Sequence, residues 1–86
     1  MAQNEISLNN WDNAHIEAAP LRKIANVFRY GQFVGSLAEC VGTGFYRLTP
    51  FGGAWGYIRK GLTRRAWDSE GAAATAIQSA GCHIGD

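Results

Sequence analysis

The chain has 86 residues, 47% of them hydrophobic, 12% aromatic and 17% charged, and its formal net charge is +1 at pH 7. A chain of this size buries only about 60–65% of the surface its unfolded form exposes, which suits one domain and leaves little room for a deep enclosed active site. The near-neutral charge speaks against a dominant electrostatic attraction to DNA or to an anionic membrane, and the apolar content favours a folded chain over disorder.

Residues 1–9 (MAQNEISLN) are polar and without a sustained period, which predicts a flexible arm. From Asn10 the pattern turns helical: Asn10 is a cap, Trp11, Ala14, His15, Ala18 and Ala19 follow at helical spacing, and Asp12 suits the first turn. Pro20 stops this short helix. Over residues 20–30 a second helix competes with a first strand; Leu21, Ile24 and Phe28 fit either, and a strand from about Ile24 is the preferred reading.

The block VFRYGQFVGSLAECVGTGFYRL is rich in aromatic and β-branched residues with glycine at 31, 35, 42 and 44, as in a meander. Gly31-Gln32 suits a two-residue hairpin of type II′, with Gly31 supplying the positive φ, and Gly42-Thr43-Gly44 makes the next connection. Gly35 inside the second strand marks a bulge or a close backbone approach. Pro50 and Gly52-Gly53 end the third strand, and a fourth begins at about Ala54. In it Trp55, Tyr57 and Arg59 share one face, Ala54, Gly56 and Ile58 the other. Lys60-Gly61 turns the chain, and Leu62 to Trp67 returns as a fifth strand or an extended arm.

Asp68 or Ser69 then caps a helix with Glu70 in its first turn, Ala72, Ala73, Ala76, Ile77 and Ala80 forming a narrow stripe and Gly81 ending it. An alanine stripe lets a helix lie close to a sheet, so the large core side chains must come from the strands: Phe28, Phe33, Leu37, Leu48, Ile58 and Leu62. Residues 82–86 (CHIGD) read as a tail. The fold class is α+β: an antiparallel sheet of three to five strands, an alanine-rich C-terminal helix packed on one face, and a short N-terminal helix.

Chemistry-bearing motifs are sparse. His15 and His83 are the only ordinary bases, and neither lies in a nucleophile motif. Cys82-His83 with Cys40 and His15 does not match zinc-ligand spacing, and VGTGFY has only the first two glycines of a nucleotide fingerprint. Cys40 and Cys82, without a signal sequence or a long apolar run, read as reduced thiols of a cytosolic protein, a bridge between them being the lesser reading. No enzyme activity, cofactor or metal is expected.

Between Phe45 and Trp67 stand five basic residues and no acidic one, whereas the first twenty residues carry Glu5, Asp12 and Glu17 without Lys or Arg. Arginine and aromatics interleaved on strands suit protein hot spots, because they combine desolvated area with directional hydrogen bonds. They also suit single-stranded nucleic acids, which stack on aromatics. The candidate partner-binding residues are Tyr46, Arg47, Trp55, Tyr57, Arg59, Lys60, Arg64 and Arg65. Set against this, half of the aromatics must serve the core of so small a domain, and Arg64-Arg65 also reads as a solvated hairpin.

The window WGYIRKGLTRRAWDSEGAAATAI resembles the C-terminal half of plant ethylene-response-type DNA-binding domains at Trp55, Ile58, Arg59, Trp67, Ala72, Ala73 and Ala76. That resemblance implies a three-stranded sheet entering the major groove. The layout is also similar to small proteins of phages and mobile elements, including anti-CRISPR inhibitors with a sheet and one packed helix. This second resemblance implies a non-enzymatic inhibitor or adaptor, in the host cell cytoplasm if phage-encoded, monomeric or homodimeric, that blocks a host protein or ribonucleoprotein complex. A sheet-based DNA- or RNA-binding domain is the alternative.

Overall fold

The computed structural model describes residues 5–52 and 61–85. Strands β1 (Glu5–Ser7), β2 (Leu21–Arg29), β3 (Gln32–Cys40), β4 (Phe45–Pro50), β5 (Arg65–Trp67) and β6 (His83–Gly85) form one antiparallel sheet in the order β1-β5-β4-β3-β2-β6. A 3-10 turn (Trp11–Asn13) leads into the four-residue helix α1 (Ala14–Glu17), a second 3-10 turn (Leu62–Arg64) precedes β5, and the ten-residue helix α2 (Glu70–Ser79) follows it.

Strand alternation builds two different faces. Leu37 stands opposite Leu48, and Tyr46 opposite Trp67, so these side chains share one face. There Val27, Val34, Leu37, Leu48, Leu62 and Trp67 are buried together with Ala73 and Ile77 of α2 and with Cys82. Alanines at 72, 76 and 80 complete the helix side of the contact. The wide residues therefore come from the strands, each buried aliphatic contributing about 1.5–3 kcal/mol.

Helix α2 is closed at both ends. Ser69 is its N-cap, accepting from Ala72 N at 3.1 Å. At the other end Gly81 adopts φ 92°, its N–H donating to Gln78 O and that of Cys82 to Ile77 O, a double closure that needs a left-handed residue. The Arg29 guanidinium donates to Ala80 O at 2.9 Å and places a cation at the negative end of the helix.

The central hairpin departs from the sequence expectation in an instructive way. Its two turn residues are Tyr30 (φ 53°) and Gly31 (φ 77°), both left-handed, so the turn is of type I′ and not the type II′ expected with Gly31 in first place. Arg29 holds Tyr30 there, with its guanidinium 4.9 Å from the ring centre and a hydrogen bond to Tyr30 Oη at 3.2 Å. The bulge expected at Gly35 is present: the register of β2 and β3 shifts between Val27 and Phe28, with Val34 as the extra residue. A Cβ at Gly35 would fall on the Thr49 carbonyl oxygen.

Other expectations need correction. Residues 1–9 are not simply an arm, because Glu5, Ile6 and Ser7 pair with Trp67, Ala66 and Arg65, and Leu8 is buried. Likewise the tail at 82–86 contains β6, whose Ile84 packs on the helix-side core. Both segments are short and polar, and their partner strands lie far away in sequence, so no local pattern announces them. β2 begins at Leu21, not Ile24, since Pro20 O accepts Val41 N and starts the pairing at once. The N-terminal helix is only α1 plus its 3-10 turn, with Asn10 as the expected cap on Asp12 N. The expected fifth strand is split, because Leu62 to Arg64 form a 3-10 turn. The fourth strand expected from Ala54, with Trp55, Tyr57, Ile58, Arg59 and Lys60, lies outside the described residues.

Candidate functional site

Among the described residues, the second face of the sheet is covered only in part. Leu8 and Ile16, from the N-terminal segment, pack on Cys40 and Ala66, with Ile6, Ala19 and Phe45 around them. Beyond this patch the register lays out three rows across the strands. The first is His83, Phe28 and Phe33; the second Gly85, Asn26, Ser36 and Thr49; the third Lys23, Ala38 and Arg47.

The first row is aromatic. Phe28 and Phe33 meet edge to face at 5.9 Å, and Phe51, just after β4, lies 5.0 Å from Phe33. Its backbone N–H donates to Val34 O at 3.0 Å, which ties Phe51 to the sheet. Phe33 is 37% exposed and Phe51 61%. The Lys23 ammonium lies 5.8 Å from the Phe33 ring centre, within cation–π range.

The second and third rows are polar and basic. Thr49 Oγ1 donates to Ser36 O at 3.3 Å, and Asn26 Oδ1 is buried without a hydrogen-bond partner among the described residues. Arg47 reaches under α1 to donate to Glu17 O at 3.4 Å, while its Nε is buried and has no partner among the described residues. Beneath the covered patch, burial pushes the Cys40 thiol up; Arg47 opposes this and Glu39 adds to it.

Charge is divided between the two faces. The strands carry two carboxylates among the described residues, Glu5 and Glu39, and by register both lie on the helix side, opposite Trp67 and Tyr46. Each is ion-paired there, Glu39 with Arg22 at 2.7 Å and Glu5 with Arg65 at 3.1 Å. The described strands of the second face therefore present Lys23, Arg47 and His83 with no carboxylate of their own.

Of the residues singled out from sequence, the four that are described do not converge on one surface. Tyr46 packs against the helix-side core, and Arg47 projects from the opposite face. Arg65 pairs with Glu5, while Arg64 donates to Glu17 at 2.7 Å and to Asn9 at 2.9 Å, so both arginines fasten the N-terminal segment. They border an open hollow of about 480 Å³ together with Glu5, Ser7 and Asn9. Trp55, Tyr57, Arg59 and Lys60 lie outside the described residues. Conversely, Phe28 and Phe33 were expected in the core, and the bulge at Val34 explains the difference: the extra residue turns Val34 inward and leaves Phe33 beside Phe28 on the outer face. A strand glycine, Gly35, preceded by Phe33 and Val34, was the available signal.

Cys40 and Cys82 are both free and buried, in the two separate core clusters on opposite sides of the sheet. Among the described residues no group of three or more His, Cys, Asp and Glu is placed to hold a metal ion, and no helix is long and apolar enough to cross a membrane. Comparison with protein-family models, with curated proteins and with solved structures finds no match.

Proposed function

We propose that this chain is a non-enzymatic binding protein, an inhibitor or adaptor of the anti-CRISPR type, that docks on a host protein or ribonucleoprotein complex through the uncovered part of its second sheet face. The observation that carries this reading is the cluster of Phe28, Phe33 and Phe51. A small domain has few apolar residues for its core, and full burial of a phenylalanine is worth about 1.5–3 kcal/mol. Two rings that stay exposed side by side forgo much of that gain, and aromatic patches of this kind are enriched where partners meet. The resemblance in layout to phage-encoded inhibitors supports the choice of partner class.

Affinity purification from a host lysate tests the reading with wild-type protein and a Phe33→Ser/Phe51→Ser variant run in parallel. The expected result is a stoichiometric complex with the wild type and a loss of about tenfold or more with the variant, as for removal of interface anchors. Recovery of no stoichiometric partner, or equal recovery by a folded variant, overturns it.

A further inference from the structure

We infer that the ligand met by this face is a single-stranded nucleic acid, either free or as the exposed strand of a ribonucleoprotein; the inference rests on the docking-face reading and names what that face recognises. A nucleotide presents a flat base, a hydroxylated sugar and an anionic phosphate in succession. The open face offers matching groups: the rings of Phe28, Phe33 and Phe51, the polar row of Asn26, Ser36 and Thr49, and the Lys23 ammonium 5.8 Å from the Phe33 ring, while Arg47 is engaged beneath α1 by Glu17 O. Neighbouring rows are two residues apart along a strand, or three where a bulge adds one, a step of about 7 Å. Exposed aromatics on a sheet stack bases without sequence preference, because every base has a π-face.

The division of charge favours this ligand over a second protein surface of mixed charge. Net charge is +1, yet the strand carboxylates sit on the helix side, paired with Arg22 and Arg65, and leave Lys23 without a carboxylate partner among the described residues. The strands of the open face thus contribute cations and no carboxylate, and Glu17 of α1, which borders that face, is paired with Arg64. With so few cations on it, affinity rests more on stacking than on phosphate neutralisation. Duplexes, whose bases are already stacked and enclosed, offer this face little.

Fluorescence anisotropy with labelled oligo(U), oligo(dT) and a duplex of equal length, each about twelve nucleotides, tests the inference on the full chain. Single strands are expected to bind and the duplex to bind at least tenfold more weakly, roughly one stacked base's worth of affinity. The two single-strand arms tell RNA from DNA. Phe33→Ala and Phe51→Ala are each expected to weaken binding by about five- to 100-fold. Lys23→Gln is expected to flatten the dependence of log K on log salt by about 0.7, the contribution of one phosphate contact on a single strand. Circular dichroism of each variant checks that the fold is kept, and Lys23→Gln alters only an exposed side chain. Absence of binding by both single strands, equal binding of the duplex, or folded aromatic variants that bind like the wild type overturns the inference. If no oligonucleotide binds while complex recovery from lysate still depends on Phe33 and Phe51, the docking face stands and its occupant is a protein.

Discussion

The two faces of the sheet obey the same alternation and end differently. On the helix side, Leu37, Leu48, Val27 and Trp67 meet the alanine stripe of α2 and are buried completely or nearly so. On the other side, the N-terminal segment is long enough to cover Cys40, Ala66 and Phe45 but stops short of Phe28, Phe33 and Phe51. The difference teaches that exposure here follows the supply of covering elements and not the polarity of the strands. Phe28, Phe33 and Phe51 stand on the open side while Tyr46 and Trp67 stand under the helix, the reverse of a partition by hydrophobicity alone.

Three substitutions would break or sharpen this contrast. The largest effect is expected for Leu48→Ala, which empties a fully buried position under α2; a loss of about 2–5 kcal/mol in urea unfolding is expected, and a loss no larger than that of an exposed site would mean the helix side is not the main core. Next comes Gly35→Ala. The added methyl meets backbone, not a movable side chain, so the β3-β4 pairing must shift, at an expected cost of about 1–3 kcal/mol; an unchanged unfolding midpoint would show the bulge to be pliable. The smallest effect is expected for Phe51→Ser on the open face, within about 0.5 kcal/mol of the wild type. A much larger loss there would identify the aromatic cluster as core and remove the reason to see a docking surface in it.

Much of the helix side was legible in the chain itself. The alanine stripe, a cap at Asp68 or Ser69 (Ser69 in the structure), Gly81 as terminator and the demand for large core residues at Leu37, Leu48 and Leu62 follow from local spacing and are found buried or in place, Leu62 from a 3-10 turn and not a strand. Gly35 announced its bulge because a strand glycine has few other uses. The edge strands were not legible: Glu5–Ser7 and His83–Gly85 have three residues each, too few to display a period, and their pairing partners Arg65–Trp67 and Asn26–Phe28 are distant in sequence. The candidate site suffered for a related reason. Arg64 and Arg65 looked available because their partners Glu17, Asn9 and Glu5 lie more than forty positions earlier in the chain, and Phe33 looked buried because parity counted from Gly35 ignores the extra residue at Val34.

By itself the sequence determined an α+β chain with an antiparallel meander and one alanine-faced helix, since period, caps and turn residues act over a few neighbours. Tertiary structure alone decided which face α2 leaves open, that both strand carboxylates lie on the helix side in ion pairs with Arg22 and Arg65, and that three phenylalanines gather on the other side. Those outcomes depend on register. A single bulged residue reverses the direction of every side chain beyond it on that strand, and register is set by pairing with remote strands.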